Sequence, residues 1–156
     1  MKKELSKKIK ALCFVLRGNE ILLGMKKRGF GEGKWNGFGG KVEGDETIEE
    51  AIKRELLEEA SLQINNFADR GTIIFKGNDL WDIVEVHVFR CTNFEGEPKE
   101  SDEMKPKWFN QNNIPYNQML PDDKYWLPLL LKGKKFKAKF IYNDKGEILS
   151  QQVTKI

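Results

Sequence analysis

The pattern of hydrophobic and polar positions predicts a chain built mainly of strands. Short apolar runs, several of them alternating with polar residues, are separated by turns that contain Gly or Asn, which is typical of strands and hairpins. Arg17-Gly18-Asn19 lies between the first two runs and 143–146 between the last two, so each pair is expected to form a hairpin. The segments that predict strands are ALCFVL, EILLGM, GTIIF, DIVEVHVFRC, the end of ESDEMKPKWF, KFKAKFIY and EILSQQV.

Two segments carry helix signals. Thr47, with Glu50 three residues later, forms a capping box, which predicts a first helix from Ile48 to Ala60. The segment LPDDKYWLPLLLKG predicts a second helix, because its Pro-Asp-Asp start and terminal glycine suit the two ends of a helix. Pro128 is expected to weaken or bend this helix, since proline lacks the backbone N–H that a helix interior uses.

Chain length and apolar content fit one domain. With 156 residues, 39% of them hydrophobic, and no repeat or linker, we expect a single domain over 1–156, with residues 1–9 as a solvated tail. The N-terminal apolar run is too short for a secretory signal, and no run approaches the roughly 18–20 apolar residues that cross a bilayer. The sequence therefore favours a soluble, cytoplasmic protein without membrane contact.

Charge and cysteines exclude several classes of function. The net charge is only +3, which mildly favours an anionic small molecule and argues against a stable nucleic-acid complex. Cys13 and Cys91 lie in separate apolar runs without a CxxC pair, so we expect buried thiols in a reducing compartment. His87 lies in the middle of a predicted strand without a nucleophile pattern around it, and is interpreted as a packed strand residue.

The predicted first helix carries acids on its apolar side. At about 100° per residue, Glu55 and Glu59 fall in the middle of the apolar arc and Glu58 falls at its edge. A solvated acidic face does not explain this placement, because like charges on one side repel and unpaired burial costs still more. A magnesium ion would remove the conflict, since it takes oxygen ligands from one face and leaves positions for water and phosphate. The arc is formed by Ile48, Ala51, Ile52 and Leu56.

A glycine-rich segment precedes that helix. RGFGEGKWNGFGGKVEGDE has seven glycines in nineteen residues and predicts a loop with at most one short strand. Within it, Gly37-Phe38-Gly39-Gly40 lets main-chain atoms approach a metal or phosphate closely, although an ordinary tight turn has the same composition. The segment is not a P-loop, because the spacing between its glycine and the GK pair is wrong and Trp35 stands where Ser or Thr is needed. Of the nearby cations Lys26, Lys27, Arg28 and Lys34, we select Lys26 for polyphosphate binding.

Residues 40–62, GKVEGDETIEEAIKRELLEEASL, resemble the Nudix box, G-x5-E-x7-R-E-U-x-E-E-x-G-U. Ser61 stands at the last glycine position, which puts the turn after the helix in question rather than the chemistry. The segments GMKKRGFGEGKWNGFGGKV, EVHVFR, ESDEMKPKWF and PDDKYWLPLLLKGKKF extend the resemblance, over most of residues 11–140, to the animal-type Nudix hydrolases of oxidised purine nucleoside triphosphates. The box positions in register are Gly40, Glu46, Arg54, Glu55, Leu56, Glu58, Glu59 and Leu62.

The resemblance implies an α+β fold, the Nudix-type α/β/α sandwich with a mixed β-sheet. It implies hydrolysis of a triphosphate to the monophosphate and pyrophosphate, with Mg²⁺, or Mn²⁺ in its place. Arg54 is expected to orient a glutamate and Glu46 to support the loop, while Glu59 is the first candidate for the general base. The implied catalytic residues are Glu59, Glu55, Glu58, Arg54 and Glu46, and the implied metal ligands are Gly39, Gly40, Glu55, Glu58, Glu59 and Glu103.

The same resemblance implies a base pocket. Two adjacent carboxyls, Asp122 and Asp123, should not both ionise, so one would donate and the other accept a hydrogen bond to a purine, unless they serve only as helix caps. Leu120 replaces a tryptophan of the family and Ala11 a hydroxyl residue, so the preferred base stays open. The implied substrate residues are Lys26, Phe30, Asn36, Phe38, Gly39, Gly40, Lys41, Phe75, Leu120, Asp122 and Asp123.

Three functions remain compatible with the sequence. The first is a monomeric, magnesium-dependent hydrolase of modified purine nucleoside triphosphates. The second is a Nudix enzyme for another nucleoside diphosphate-linked substrate, because the box sets the chemistry and not the base. The third is a catalytically silent nucleotide- or RNA-binding module, against which the complete acid set and the mild charge argue.

Overall fold

The computed structural model describes residues 7–77 and 83–156. The longer strands and the two helices follow one another in the order that the hydrophobic pattern predicts, and the structure adds several short strands and a 3₁₀ turn. In chain order they are β1 Lys7–Arg17, β2 Glu20–Lys26, β3 Trp35–Asn36, β4 Phe38–Lys41, α1 Ile48–Ala60, β5 Gln63–Ile64, β6 Phe67–Gly77, β7 Ile83–Cys91, β8 Phe94–Glu95, β9 Met104–Asn110, a 3₁₀ turn Tyr116–Gln118, α2 Asp123–Leu131, β10 Phe136–Tyr142 and β11 Ile148–Lys155.

Within the described residues, nine strands form one mixed sheet. Its main path runs β11-β10-β6-β7-β1-β2-β3, with β4 paired to β1 and β9 paired to β2. The β1–β7 and β10–β6 pairs are parallel, whereas the other pairs in this sheet are antiparallel. Strands β5 and β8 form a separate two-stranded sheet. The α+β class and the mixed sheet are therefore confirmed.

The sheet has an apolar core on each face. Strand β1 supplies both cores, because alternate residues point to opposite sides of a strand. Phe14 belongs to the cluster that includes Trp126 of α2, and Cys13 belongs to the cluster that includes Ile52 of α1. The two helices therefore cover opposite faces, as the α/β/α arrangement requires.

Helix α1 has the predicted bounds and the predicted cap. The Thr47 hydroxyl accepts a hydrogen bond from the Glu50 N–H, and the Glu50 carboxylate accepts one from the Thr47 N–H. Ser61 ends the helix with φ 59° and ψ 31°, the left-handed conformation that glycine adopts more easily. Its N–H donates to the Leu57 carbonyl at 3.1 Å, so the turn forms without the glycine.

Several local predictions were wrong. Residues 7–9 lie in β1 and pair with 83–85 of β7, so they are not a solvated tail, while residues 1–6 lie outside the described part of the chain. The glycine-rich segment contains two short strands, β3 and β4, rather than at most one. By contrast, the predicted strand DIVEVHVFRC is confirmed as β7 from Ile83 to Cys91, and its first residue, 82, lies outside the described residues.

Two other predictions hold. Cys13 and Cys91 are free and buried. The second predicted helix is observed as α2, Asp123–Leu131, and includes Pro128, while the bend expected at that proline stays a prediction. Over 7–77 and 83–156, the structure contains no helix with the length and apolar character needed to cross a membrane.

Candidate active site

Glu55 and Glu59 converge on the glycines of β4. Helix α1 packs on this strand, and Glu59 is only 3% exposed. The Gly39 N–H donates to Glu59 Oε1 at 2.9 Å. Glu55 lies against Gly40, where an added Cβ would be 2.7 Å from Glu55 Oε1. The two carboxylates that the helical spacing placed in the apolar arc therefore meet the glycine segment.

The two glycines are required by close contacts on either side of β4. An added Cβ at Gly39 would lie 1.9 Å from the Ala11 carbonyl oxygen, because β4 pairs tightly with β1 at this point. At Gly40 the obstacle is the Glu55 carboxylate instead. One glycine thus permits the strand pairing, and the other leaves room for the Glu55 carboxylate.

Burial makes the charged forms of these carboxyls costly. Burial, and then the negative charge of Glu55, raise the pKa of Glu59 to about 8, against the opposing effects of the Gly39 N–H and Lys26. Burial likewise raises the pKa of Glu55, although Arg54 opposes the shift. A bound cation would stabilise both carboxylates.

Arg54 ties four groups of the predicted site together. Its Nε and Nη2 donate to the two oxygens of Glu46 at 2.8 and 2.9 Å, a bidentate pair. Its Nη1 donates to Glu55 at 2.9 Å and to Glu58 at 3.3 Å, and Nη2 also reaches the Lys41 carbonyl. The hydrogen bonds from Arg54 lower the pKa of Glu46 to about 2. In this network Arg54 contacts two glutamates of α1 and Glu46 holds its guanidinium, while the catalytic roles implied for both residues stay predictions.

Glu103 faces the helix from a loop on the opposite wall. The Ser101 hydroxyl accepts hydrogen bonds from the N–H groups of Glu103 and Met104, which fixes the loop. Glu103 lies 4.0 Å from Lys26 Nζ and 3.6 Å from Arg28. A depression of about 430 Å³ between the walls is lined by Arg28, Glu58, Glu59, Ser101, Asp102 and Glu103.

The residues present fit a hard divalent cation. All side-chain donors are carboxylate oxygens, which Mg²⁺ prefers, and the missing Cβ of Gly40 leaves main-chain atoms accessible beside Glu55. In the described ranges no three carboxylate, His or Cys side chains already converge as a metal cluster. Arg54 instead holds Glu55 and Glu58, while Lys26 and Arg28 face Glu103. Glu58, Glu59 and Glu103 line one cleft, and side-chain cations balance the charges of Glu55, Glu58 and Glu103.

Asp122 and Asp123 are both buried at the start of α2, 1% and 2% exposed. Asp122 Oδ2 accepts from Trp126 Nε1 at 2.8 Å, and Asp122 Oδ1 accepts from the Tyr142 hydroxyl at 2.6 Å. Asp123 Oδ2 is buried without a hydrogen-bond partner among the described residues. Asp122 makes no side-chain capping bond, so the helix-cap explanation is wrong for this residue.

The remaining predicted base contacts are less uniform. Phe75 is partly buried, with its ring centroid 6.1 Å from that of Tyr142, which suits an apolar wall. Phe30 is 82% exposed, with Lys10 Nζ 5.9 Å from its ring centroid, so it forms no enclosed wall. Asn36 lies in β3, where its side-chain oxygen accepts from the Gly37 N–H at 2.7 Å. Its contact with a base stays a prediction.

Three other predicted substrate residues lie in different environments. Phe38 is fully buried in the core on the α1 side, so its side chain is a packing residue and not a substrate contact. Lys41 is exposed next to the site, and Leu120 is partly exposed just before the aspartates.

Sequence reasoning missed three residues of these two regions. Arg28 lines the cleft, but Lys26 was selected in its place for polyphosphate binding. The closeness of Arg28 to Lys26 in the sequence was the available signal for it. Tyr142 and Trp126 had no motif signal, because the contact with Asp122 joins β10 and α2, which the fold brings together.

Related proteins share this architecture. Residues 6–130 match the NUDIX domain family. The chain is 46% identical to the oxidized purine nucleoside triphosphate hydrolase of Danio rerio, with 96% of each chain covered, and 47% identical to that of Mus musculus, with 93% of each covered. The crystal structure of a MutT protein from Bacillus halodurans superposes with a TM-score of 0.84 at 27% identity, covering 94% of this chain and 97% of that one. This chain therefore belongs to the Nudix family of hydrolases.

Proposed function

We propose that the protein is a magnesium-dependent pyrophosphohydrolase of oxidised or otherwise modified purine (deoxy)nucleoside triphosphates, of the 8-oxo-dGTP and 2-hydroxy-dATP type. It releases the nucleoside monophosphate and pyrophosphate, and so removes damaged precursors from the nucleotide pool. The observation that carries this proposal is the convergence of Glu55 and Glu59 on Gly39 and Gly40 at the edge of an acidic cleft. The choice of substrate rests on the relatives that are 46–47% identical.

The metal site in this proposal uses oxygen donors from three segments. Helix α1 supplies Glu55, Glu58 and Glu59, the main chain at Gly39 and Gly40 supplies further oxygens, and the loop before β9 supplies Glu103. Mg²⁺, or Mn²⁺ in its place, polarises phosphate oxygens and lowers the pKa of bound water.

The side chains around that site have separate tasks. Glu59 accepts the proton of the attacking water, as the most enclosed carboxylate of the cleft. Arg54 holds Glu55 and is itself held by the bidentate contact with Glu46. Lys26 and Arg28 lie beside Glu103 and are placed to bind the phosphate chain.

Base recognition is assigned to the opposite end of the substrate. Asp122 and Asp123 offer buried hydrogen-bonding groups for the purine edge, with Phe75 as an apolar wall. Leu120 provides contact without an aromatic face, so stacking on the base is weaker here than with a tryptophan.

We also propose that residues 1–156 act as one domain, as a monomer in the cytoplasm, without a stable nucleic-acid complex. The continuous sheet through β1, β7 and β10 supports the single domain. The small net charge of +3 supports a nucleotide rather than a polymeric nucleic acid as the partner.

The test is release of pyrophosphate from 8-oxo-dGTP, with Mg²⁺ and with EDTA. We expect release only with Mg²⁺, and a loss of about 100-fold or more in kcat for Glu59→Gln. Glu49→Gln, an exposed substitution in the first turn of the same helix, is the matched control and should retain activity. Release from another nucleoside diphosphate compound but from no modified purine triphosphate would contradict the substrate assignment. Absence of release from every nucleotide would favour the silent binding module.

A further inference from the structure

Tyr142 is aimed at the aspartate pair by the geometry of its strand. Along β10, Phe136, Ala138 and Phe140 are buried on the face that packs in the α2 cluster, and Tyr142 continues this alternation. The β10–β11 register shifts at this point, since Ile141 pairs with Ser150 and Tyr142 with Ile148. The residue skipped there, Leu149, lies in β11, whereas β10 keeps its register with β6 through the pair Tyr142 and Gly77. From this position the hydroxyl of Tyr142 reaches Asp122.

Asp122 is held as an acceptor on both of its oxygens. Trp126 Nε1 can only donate, and it occupies Oδ2 at 2.8 Å. The Tyr142 hydroxyl donates to Oδ1 at 2.6 Å. Burial, and then the charge of Asp122, raise the pKa of this hydroxyl, so it keeps its proton and remains a donor. Burial raises the pKa of Asp122, and the hydrogen bonds from Tyr142 and Trp126 oppose that rise by stabilising the ionised carboxylate.

Asp123 has the opposite environment. Its Oδ2 is buried and lacks a hydrogen-bond partner in the described part of the chain. Burial, followed by the negative charge of Asp122, raises the pKa of Asp123 well above its usual range. A proton on Asp123 avoids two adjacent buried charges and provides an O–H donor.

We propose that Tyr142 is a positioning residue that determines base specificity, because its hydrogen bond fixes Asp122 as the acceptor and Asp123 as the donor of the pair. This inference rests on the proposed function, and it specifies which of the two aspartates accepts and which donates a hydrogen bond to the purine. Without the Tyr142 hydroxyl, the proton can reside on either carboxyl, and the pair can present both patterns.

An aspartate pair with one fixed acceptor and one fixed donor distinguishes two kinds of purine. A 6-oxo purine presents a carbonyl acceptor at position 6 and an N–H donor at N1, whereas a 6-amino purine presents a donor at position 6 and an acceptor at N1. One donor–acceptor arrangement of the aspartates fits only one of these edges, and the other edge leaves buried polar groups unpaired. The pair 8-oxo-dITP and 8-oxo-dATP isolates this difference, because both carry the same 8-oxo group.

The experiment measures kcat/KM for these two triphosphates with wild type, Tyr142→Phe and Tyr125→Phe. Wild type should discriminate between them by about tenfold or more, which is the size expected for a mispaired hydrogen bond to a charged group. Tyr142→Phe keeps the ring and should reduce that ratio about fivefold or more. Tyr125, whose ring packs against Phe140 with centroids 6.3 Å apart, is the control, and its change to Phe should leave the ratio unaltered.

A second measurement does not depend on catalysis. Carboxyl ¹³C chemical shifts of the free protein at pH 7 should show ionised Asp122 and protonated Asp123 in wild type, and Tyr142→Phe should move the Asp122 signal toward the protonated value. If wild type also fails to hydrolyse 8-oxo-dGTP, the proposed function is wrong. The carboxyl shifts alone would then test whether Tyr142 fixes the protonation of the aspartate pair. A ratio in Tyr142→Phe within twofold of wild type, an equal loss in Tyr125→Phe, or unchanged carboxyl shifts would overturn the inference.

Discussion

The most informative perturbation is Glu59→Gln in metal-free buffer. Glutamine keeps the size of the side chain and an oxygen that accepts from the Gly39 N–H, but it carries no charge. Glu59 is buried beside Glu55, so in the absence of a metal its ionisation opposes folding. We therefore expect the variant to be more stable than wild type without metal, although it loses catalysis.

The size of the effect follows from the pKa of Glu59. Burial and Glu55 raise it from 4.5 to about 8. The folded state therefore binds the proton more tightly than the unfolded state, so wild type loses stability as the pH rises from 4.5 to 8. Because each pKa unit corresponds to about 1.4 kcal/mol, the full penalty is on the order of 3–5 kcal/mol above pH 8 and about 1 kcal/mol near pH 5.5.

The assay is urea unfolding in EDTA at pH 5.5 and at pH 8.5. The advantage of Glu59→Gln over wild type should grow by about 2 kcal/mol or more between the two pH values. Glu58→Gln, a mostly exposed neighbour, should show a difference within about 0.5 kcal/mol at both. Addition of Mg²⁺ should stabilise wild type more than Glu59→Gln. If the gain in unfolding free energy of Glu59→Gln does not depend on pH, or if the variant is less stable than wild type in EDTA at pH 8.5, the buried charge of Glu59 does not oppose folding.

Four further substitutions test other parts of the site. Gly40→Ala should fold but lose about tenfold or more of kcat, because its Cβ displaces the Glu55 carboxylate. Gly39→Ala should lower the unfolding free energy by about 1–3 kcal/mol, because its Cβ meets the backbone of β1. Equal stability of the two variants in urea would contradict this difference. Arg54→Lys should reduce kcat about tenfold or more, since lysine cannot make the bidentate contact, and unchanged steady-state kinetics would show that Arg54 does not position a catalytic group. Leu120→Trp should shift kcat/KM toward 8-oxo-dGTP about two- to tenfold, and an unaltered purine panel would reject the pocket assignment.

Much of the fold follows from local sequence signals. The reciprocal bonds between Thr47 and Glu50 involve residues three apart, so the start of α1 is visible in the sequence. The convergence of Glu55 and Glu59 on β4 also follows, because a helix has a fixed angular spacing and glycines mark a close approach.

The predictions that failed depend on contacts between distant segments. Residues 7–9 are polar at most positions and form a strand only because 83–85 of β7 offer a partner. Phe38 is among the substrate residues that the resemblance implies, but the alternation of β4 directs its ring into the core. Tyr142 reaches Asp122 across twenty residues of sequence, and no local pattern predicts this hydrogen bond.

Binding of Mn²⁺ to the free protein shows whether Glu59 helps to hold a metal ion beside Gly39 and Gly40. Electron paramagnetic resonance titrations of wild type, Glu59→Gln and the control Glu49→Gln give the dissociation constant of Mn²⁺, the ion proposed to substitute for Mg²⁺. The account predicts that Glu59→Gln weakens binding about tenfold or more, while Glu49→Gln binds like wild type. Equal Mn²⁺ affinity in wild type and Glu59→Gln would contradict the claim that Glu59 helps to hold a metal beside Gly39 and Gly40.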